Sequence, residues 1–208
     1  MIYLGQLSER YESNGDPACV SSGAGDAGGQ SYGKYQFASR YGIVDAFVQW
    51  LCTYPTPEFA NYGLVLRAAG PVNSDAFIAK WKEIGTVDPG HFGKLQHEYT
   101  KLKYYDAAAT NLLNWYEYDI SQRSMALKNV LWSNAVQHAP HYGAELFRDA
   151  AILAGQTLLD MSDADLIWNS YEVKLTDPSW SSGSPDLRPG LYNRWRRERN
   201  EALAMLQE

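Results

Sequence analysis

From Lys94 to Tyr118 the side chains Leu95, Tyr99, Leu102, Tyr105, Ala109, Leu112 and Tyr116 recur at helical spacing, with no glycine or proline between them. A strand would throw alternate residues to opposite faces, so this run predicts one long helix. No part of the 208-residue chain sustains a period of two, and the expected class is mainly α. Shorter helices are expected over residues 43–52, ended by Tyr54-Pro55-Thr56-Pro57, and after an Asn73 or Ser74 cap, with Phe77, Ile78, Trp81 and Ile84 on one face. Further helices are expected over 124–136, 144–154, 162–175 and 191–206; Ser162 and Asp165 form a partial capping box for the third of these. Asp88-Pro89-Gly90 reads as a turn and residues 177–190 as a long loop exposing Trp180, with a small hairpin expected within 18–37.

The chemistry concentrates near the start, in Tyr11-Glu12-Ser13-Asn14-Gly15 and then residues 25–36. Leu4, Leu7 and Tyr11 have helical spacing and Asn14-Gly15 tolerates positive φ, which puts Glu12 at a helix C-terminus. The negative end of the helix dipole and apolar neighbours both oppose ionisation there, as a general acid requires. Asp26 is the candidate second carboxylate, in a stretch with five glycines between 15 and 29 whose N–H groups can hold it ionised; Asp16 is the competing choice.

Glu-Ser-x-Gly, Gly-Asp-x-Gly and Tyr-Gly-x-Tyr-Gln in this order resemble the catalytic region of the lysozyme superfamily, in particular goose-type lysozymes, lytic transglycosylases and chitosanases. The likeness extends to phage endolysins and type VI secretion effectors, and covers residues 8–40 with a weaker counterpart in the C-terminal half. It implies a lysozyme-like helical fold, with a long central helix and a small loop or β-hairpin region beside an active-site cleft, as a single domain over 1–208. Glu12 becomes the acid and Asp26 the base of a peptidoglycan hydrolase cutting β-1,4 links between N-acetylmuramic acid and N-acetylglucosamine. Ser31, Tyr32, Gly33, Tyr35 and Gln36 become the floor of the sugar groove. A lytic transglycosylase, a chitosanase and a non-catalytic wall-glycan binder stay open as alternatives.

Asn134, Gln137 and His138 form a polar cluster before Pro140, which either lines the groove opposite Glu12 or caps and decorates a helix end. His138-x-x-His141 is not read as a zinc site, because Pro140 breaks the helix that would align the two rings; no metal or cofactor is expected. Cys19 and Cys52 are too few for a disulfide framework, though one bridge pinning the loop is conceivable.

Aromatic residues make up 13% of the chain, including seven Trp and fifteen Tyr, enough to supply platforms for sugar rings as well as a core. A net charge of −6 argues against nucleic acid as a partner. Peptidoglycan strands are the expected partner and a monomer the expected state. Arg188, Arg194, Arg196, Arg197 and Arg199 crowd the C-terminal helix, either as a solvated face or as a contact to anionic wall or membrane. Residues 1–4 lack a basic leader pattern, so the expectation is synthesis in the cytoplasm and action in the periplasm or wall after holin- or secretion-system-dependent delivery.

Overall fold

A computed structural model describes residues 2–12, 15–23, 29–183 and 185–208, with Arg10 and Glu12 as backbone only. The chain is mainly α, and it divides into two compact units, Glu9–Thr100 and Met1–Ser8 with Lys101–Glu208. Helix α1, Gln6–Glu12, lies at the division. Among the described residues no helix is long and apolar enough to cross a membrane.

The Glu9–Thr100 unit opens with a minimal antiparallel hairpin, β1 (Ser31–Tyr32) and β2 (Phe37–Ala38), in which Ser31 faces Ala38 and Tyr32 faces Phe37; Val20 bridges to Tyr32. Four helices follow: α2 (Ile43–Cys52), α3 (Pro57–Ala68), α4 (Asp75–Val87) and α5 (Pro89–Thr100). The apolar run of α2 buries Val44, Phe47, Val48 and Leu51. The Phe47 ring is the hub of an aromatic core, 5.2 Å from Phe37, 5.3 Å from Tyr99, 5.7 Å from Trp81 and 6.1 Å from Phe92. Helix α3 lies close on α2 because Gly63 has no side chain; a Cβ there would stand 2.5 Å from the Cys52 nitrogen.

The second unit holds a π-helical segment, Lys101–Tyr105, then α6 (Asp106–Tyr116), α7 (Met125–His138), α8 (Pro140–Ala154), α9 (Asp163–Thr176) and α10 (Arg188–Met205). Its most enclosed helix is α7, buried continuously through residues 129–135. Leu146, Phe147 and Ala150 of α8, Leu166, Ile167 and Tyr171 of α9, and Trp195 and Ala202 of α10 complete the core.

Several expectations need correction. Residues 94–118 are not one uniform helix: five residues adopt π bonding, and the wider turn shifts the buried face, so that Leu102 is exposed while Tyr105, Ala108 and Leu112 are buried. Asp88-Pro89-Gly90 is no turn. Asp88 ends α4 and its Oδ1 accepts the His91 N–H at 3.2 Å, while Pro89 is the first residue of α5, where a missing N–H does no harm. The 43–52 helix does end before Tyr54-Pro55-Thr56-Pro57, but Pro57 also begins α3, a helix not expected from the sequence, and Pro140 begins α8 after a break at Ala139, whose φ is 79°. Part of the expected 177–190 loop is ordered into 3-10 turns at Pro178–Ser181 and Pro185–Leu187, and Trp180 is half-buried. Cys19 and Cys52 are both free thiols.

Candidate functional site

Asp26 and the side chain of Glu12, the carboxylates expected as base and acid, lie outside the described residues. The alternative base, Asp16, is exposed, and its carboxylate accepts the Ala18 N–H at 2.8 Å in an Asx turn. The run after them is described in full. Tyr32 has no exposed surface; its ring packs edge-on against Trp81 at 5.2 Å and its hydroxyl donates to Asn73 Oδ1 at 3.0 Å. Ser31 and Tyr35 are also buried, and the Tyr35 hydroxyl meets His97 Nδ1 at 2.6 Å. Gly33 has φ +70°, donates its N–H to the Cys19 carbonyl at 2.7 Å, and leaves no room for a Cβ, which would stand 2.3 Å from Gln96 Oε1. Gln96 is itself fully buried: its Oε1 accepts the Lys34 N–H at 2.8 Å and its Nε2 donates to the Pro17 carbonyl at 3.0 Å. Gln36, at φ 50°, donates from Nε2 to the Gly33 carbonyl at 3.0 Å. The Tyr-Gly-x-Tyr-Gln run is thus a hairpin locked onto α5 and α4 by packing and hydrogen bonds.

Asn134, Gln137 and His138 belong to the other unit, where the helical period brings them to residues that the sequence pattern did not single out. Lys174 has no exposed surface, and its Nζ donates to Asn134 Oδ1 at 2.7 Å and Gln137 Oε1 at 2.8 Å. The ammonium also stands 4.5 Å from the Trp195 ring centroid, while the Trp195 indole N–H donates to Gln137 Oε1 at 3.0 Å. Burial pulls the Lys174 ammonium down from 10.5 to about 7; Glu198 opposes that shift and Arg194 adds to it. Glu198, equally enclosed, accepts from Arg194 Nε at 2.7 Å, Tyr171 Oη at 3.2 Å and Ser133 Oγ at 3.3 Å. A signal for both charges was present: Lys174 follows Ile167, Ser170 and Tyr171, and Glu198 stands between Trp195 and Ala202, each on the buried stripe of its helix.

His138 packs between Trp180, edge-on at 5.0 Å, and Trp195 at 6.1 Å, and its buried Nε2 finds no hydrogen-bond partner among the described residues. Burial, with smaller contributions from Lys174 and Arg194, pushes the imidazole down to about 2, so the ring is neutral at any physiological pH. Its partner in the sequence pattern, His141, is exposed and stacks on Tyr142 at 4.0 Å. Beside His138 and Trp180 opens a cavity of about 590 Å³, walled by α8 on one side and residues 177–183 on the other. Of the C-terminal arginines, Arg194 pairs with Glu198, Arg199 pairs with Glu172 and lies 3.8 Å over the Trp168 ring, and Arg188 Nε donates to Ser181 Oγ at 2.8 Å. Arg196 and Arg197 are exposed.

A family profile described as type VI secretion system spike protein VgrG3-like, C-terminal, matches residues 4–199. The type VI secretion system spike protein VgrG3 of Vibrio cholerae serotype O1 is 30% identical over 191 residues, covering 86% of this chain and 17% of the Vibrio protein. The chain therefore spans less than a fifth of the length of that relative. Both matches run far beyond residues 8–40 and both are to a secretion spike, which overturns the assignment to lysozyme-superfamily glycoside hydrolases. With that assignment go the expected peptidoglycan hydrolysis, its transglycosylase, chitosanase and wall-binder alternatives, the enzyme class, the endolysin comparison and peptidoglycan strands as partner; neither description names a catalytic activity. The physical reason is visible in residues 31–36: Tyr32 packs on Trp81 and bonds Asn73, Gly33 fits against Gln96, Tyr35 meets His97, and Gln36 donates to the Gly33 carbonyl. What stands is the link to type VI secretion.

Proposed function

Because the chain belongs to the type VI secretion system spike protein VgrG3-like C-terminal family, we propose that it is a module carried by a secretion spike. It is made in the cytoplasm of the producing cell, leaves with the spike, and acts in the periplasm of the cell that receives it. The observation that supports this is the reach of the match, residues 4–199, to the C-terminal part of a spike protein. A small share of the Vibrio spike, 17%, is what one module among several would occupy. Within the module, Gln137 and His138 wall the cavity by which it engages a ligand after arrival, and Asn134 holds that wall through Lys174.

The test is delivery. The chain, epitope-tagged and joined to its spike, is expressed in a bacterium with a working type VI apparatus and in one whose apparatus is disabled. It should appear in the medium, and in the periplasmic fraction of contacted neighbours, only in the first case. Equal release from both strains would overturn the proposal.

A further inference from the structure

The cavity beside His138 is built from a particular set of chemical groups. Glu145, Asp149 and Asp177 all line it, whereas no lysine or arginine does among the described residues. Arg148 pairs with Asp149 at 2.7 Å and also feels the charge of Glu145, though more weakly; Asp177 takes part in no ion pair among the described residues. Asp177 Oδ1 accepts the Ser179 N–H at 2.9 Å, which leaves its second oxygen open to another donor. Aromatic rings supply part of the remaining wall, beside the serines of residues 179–182: Tyr142 and Trp180 stand 6.1 Å apart at 76°, and Trp180 meets the neutral ring of His138. Nearby cations are already engaged, Arg188 with Ser181 and Lys174 with Asn134 and Gln137, and neither lines the cavity.

We infer that this cavity binds a ligand bearing an alkylammonium or guanidinium group, held by the carboxylates of Glu145 and Asp177 and by the ring faces of Trp180 and Tyr142. Carboxylates accept charge-assisted hydrogen bonds, and an aromatic face attracts a cation through its quadrupole. An anion would meet three carboxylates, and a neutral apolar ligand would strip them of water without offering donors in return. At about 590 Å³ the space suits a basic amino-acid side chain with its flanking backbone, or a polyamine. The inference concerns the cavity alone and does not depend on how the chain is delivered.

The experiment follows the Trp180 indole N–H in ¹H–¹⁵N spectra of the full chain, the signal being identified by its loss in Trp180→Phe. Nα-acetyl-lysine methylamide, Nα-acetyl-arginine methylamide and spermidine are titrated, with Nα-acetyl-glutamine methylamide as the uncharged control. At least one charged probe should give a saturable shift that the control does not, weakened by added salt. Tighter binding of the amino-acid probes points to a polypeptide source, and tighter binding of spermidine to a free polyamine; either supports the site. Glu145→Gln and Asp177→Asn should each weaken binding about tenfold, roughly what loss of one charged partner in a partly exposed site produces. Asn can keep the turn that Asp177 caps, so this variant tests the site even if Glu145→Gln proves unstable. No saturable shift at about 10 mM, an equal shift from the uncharged control, or unchanged binding by folded Asp177→Asn would each overturn the inference.

Discussion

Lys174 shows how one side chain can make stability depend on pH. Its proton is held less tightly in the folded state, at about 7, than in the unfolded chain, near 10.5. Between these values the unfolded chain binds the proton and the folded chain does not, so stability rises with pH across this window, and the cost of burying the charge is complete below it. The slope is at most about 1.4 kcal/mol per pH unit. Replacing Lys174 by Met should therefore remove a rise that the parent shows. The expected outcome in urea unfolding is that the parent's stability, relative to Lys174→Met, increases from pH 7 to pH 9.5. A constant difference would mean that Lys174 keeps an ordinary affinity for its proton. Asn134 Oδ1 loses its donor in the variant, at a cost of about 1–3 kcal/mol that does not vary with pH in this range, while Gln137 Oε1 keeps the Trp195 indole N–H. His138, pushed down to about 2, acts with the same sign at lower pH: stability falls as the pH drops below about 6.5.

At the scale of elements, the β1–β2 hairpin is too short to hold itself together and depends on α5 and α4 for its place. Two strands of two residues form few ladder bonds. Gln96 on α5 substitutes for the missing ladder by bonding Lys34 and Pro17 together, and the Trp81 indole adds a second bond to the Pro17 carbonyl at 3.0 Å. Gly33→Ala puts a methyl group against Gln96 in a left-handed backbone conformation, and the expected loss is about 2 kcal/mol or more in urea unfolding. Gln96→Ala alone should also destabilise, since the Lys34 N–H loses its acceptor and the buried Pro17 carbonyl keeps only the Trp81 indole of its two donors. Combined, the two changes should cost less than their sum, because the second substitution removes the atoms that the new methyl group strikes. Strict additivity would show that the Gly33 backbone, and not its contact with Gln96, sets the cost.

Across the whole molecule the arginines of α10 do not form one free basic face. Arg194 and Arg199 are paired within their own unit, leaving Arg196 and Arg197 as the exposed members, against a net charge of −6. A net charge of this sign and size gives copies of the chain a mutual repulsion at neutral pH. That repulsion vanishes near the sequence pI of about 5.2, where His138 is also withholding stability. Light scattering at low salt should show greatest self-association close to pH 5, relieved toward neutral pH. A maximum above pH 7 would indicate association through an apolar or basic face instead.

Much of the helical layout was legible in the sequence, because its signals are short-range. The apolar run of α2 has the bounds 43–52 that its composition suggested, and Ser74, Ser124 and Ser162 each cap a helix through their own hydroxyl. Prolines 57 and 89 misled for an equally local reason: a proline is compatible with a helix start as well as with a helix stop, and only the backbone distinguishes them. The π segment could not be foreseen, since seven apolar positions at helical spacing fit an uninterrupted helix as well. Tertiary structure alone decided the roles of individual polar groups. Tyr32, Gly33 and Gln36 look like a binding motif in one dimension and are bonded into a hairpin in three, through Asn73, Cys19 and Gln96 at long sequence separations. Conversely Lys174 and Glu198 look like solvated charges until α7, α9 and α10 enclose them. A residue type states which bonds it can make, but burial and partners many positions away determine which ones it does make and what each group's proton affinity becomes.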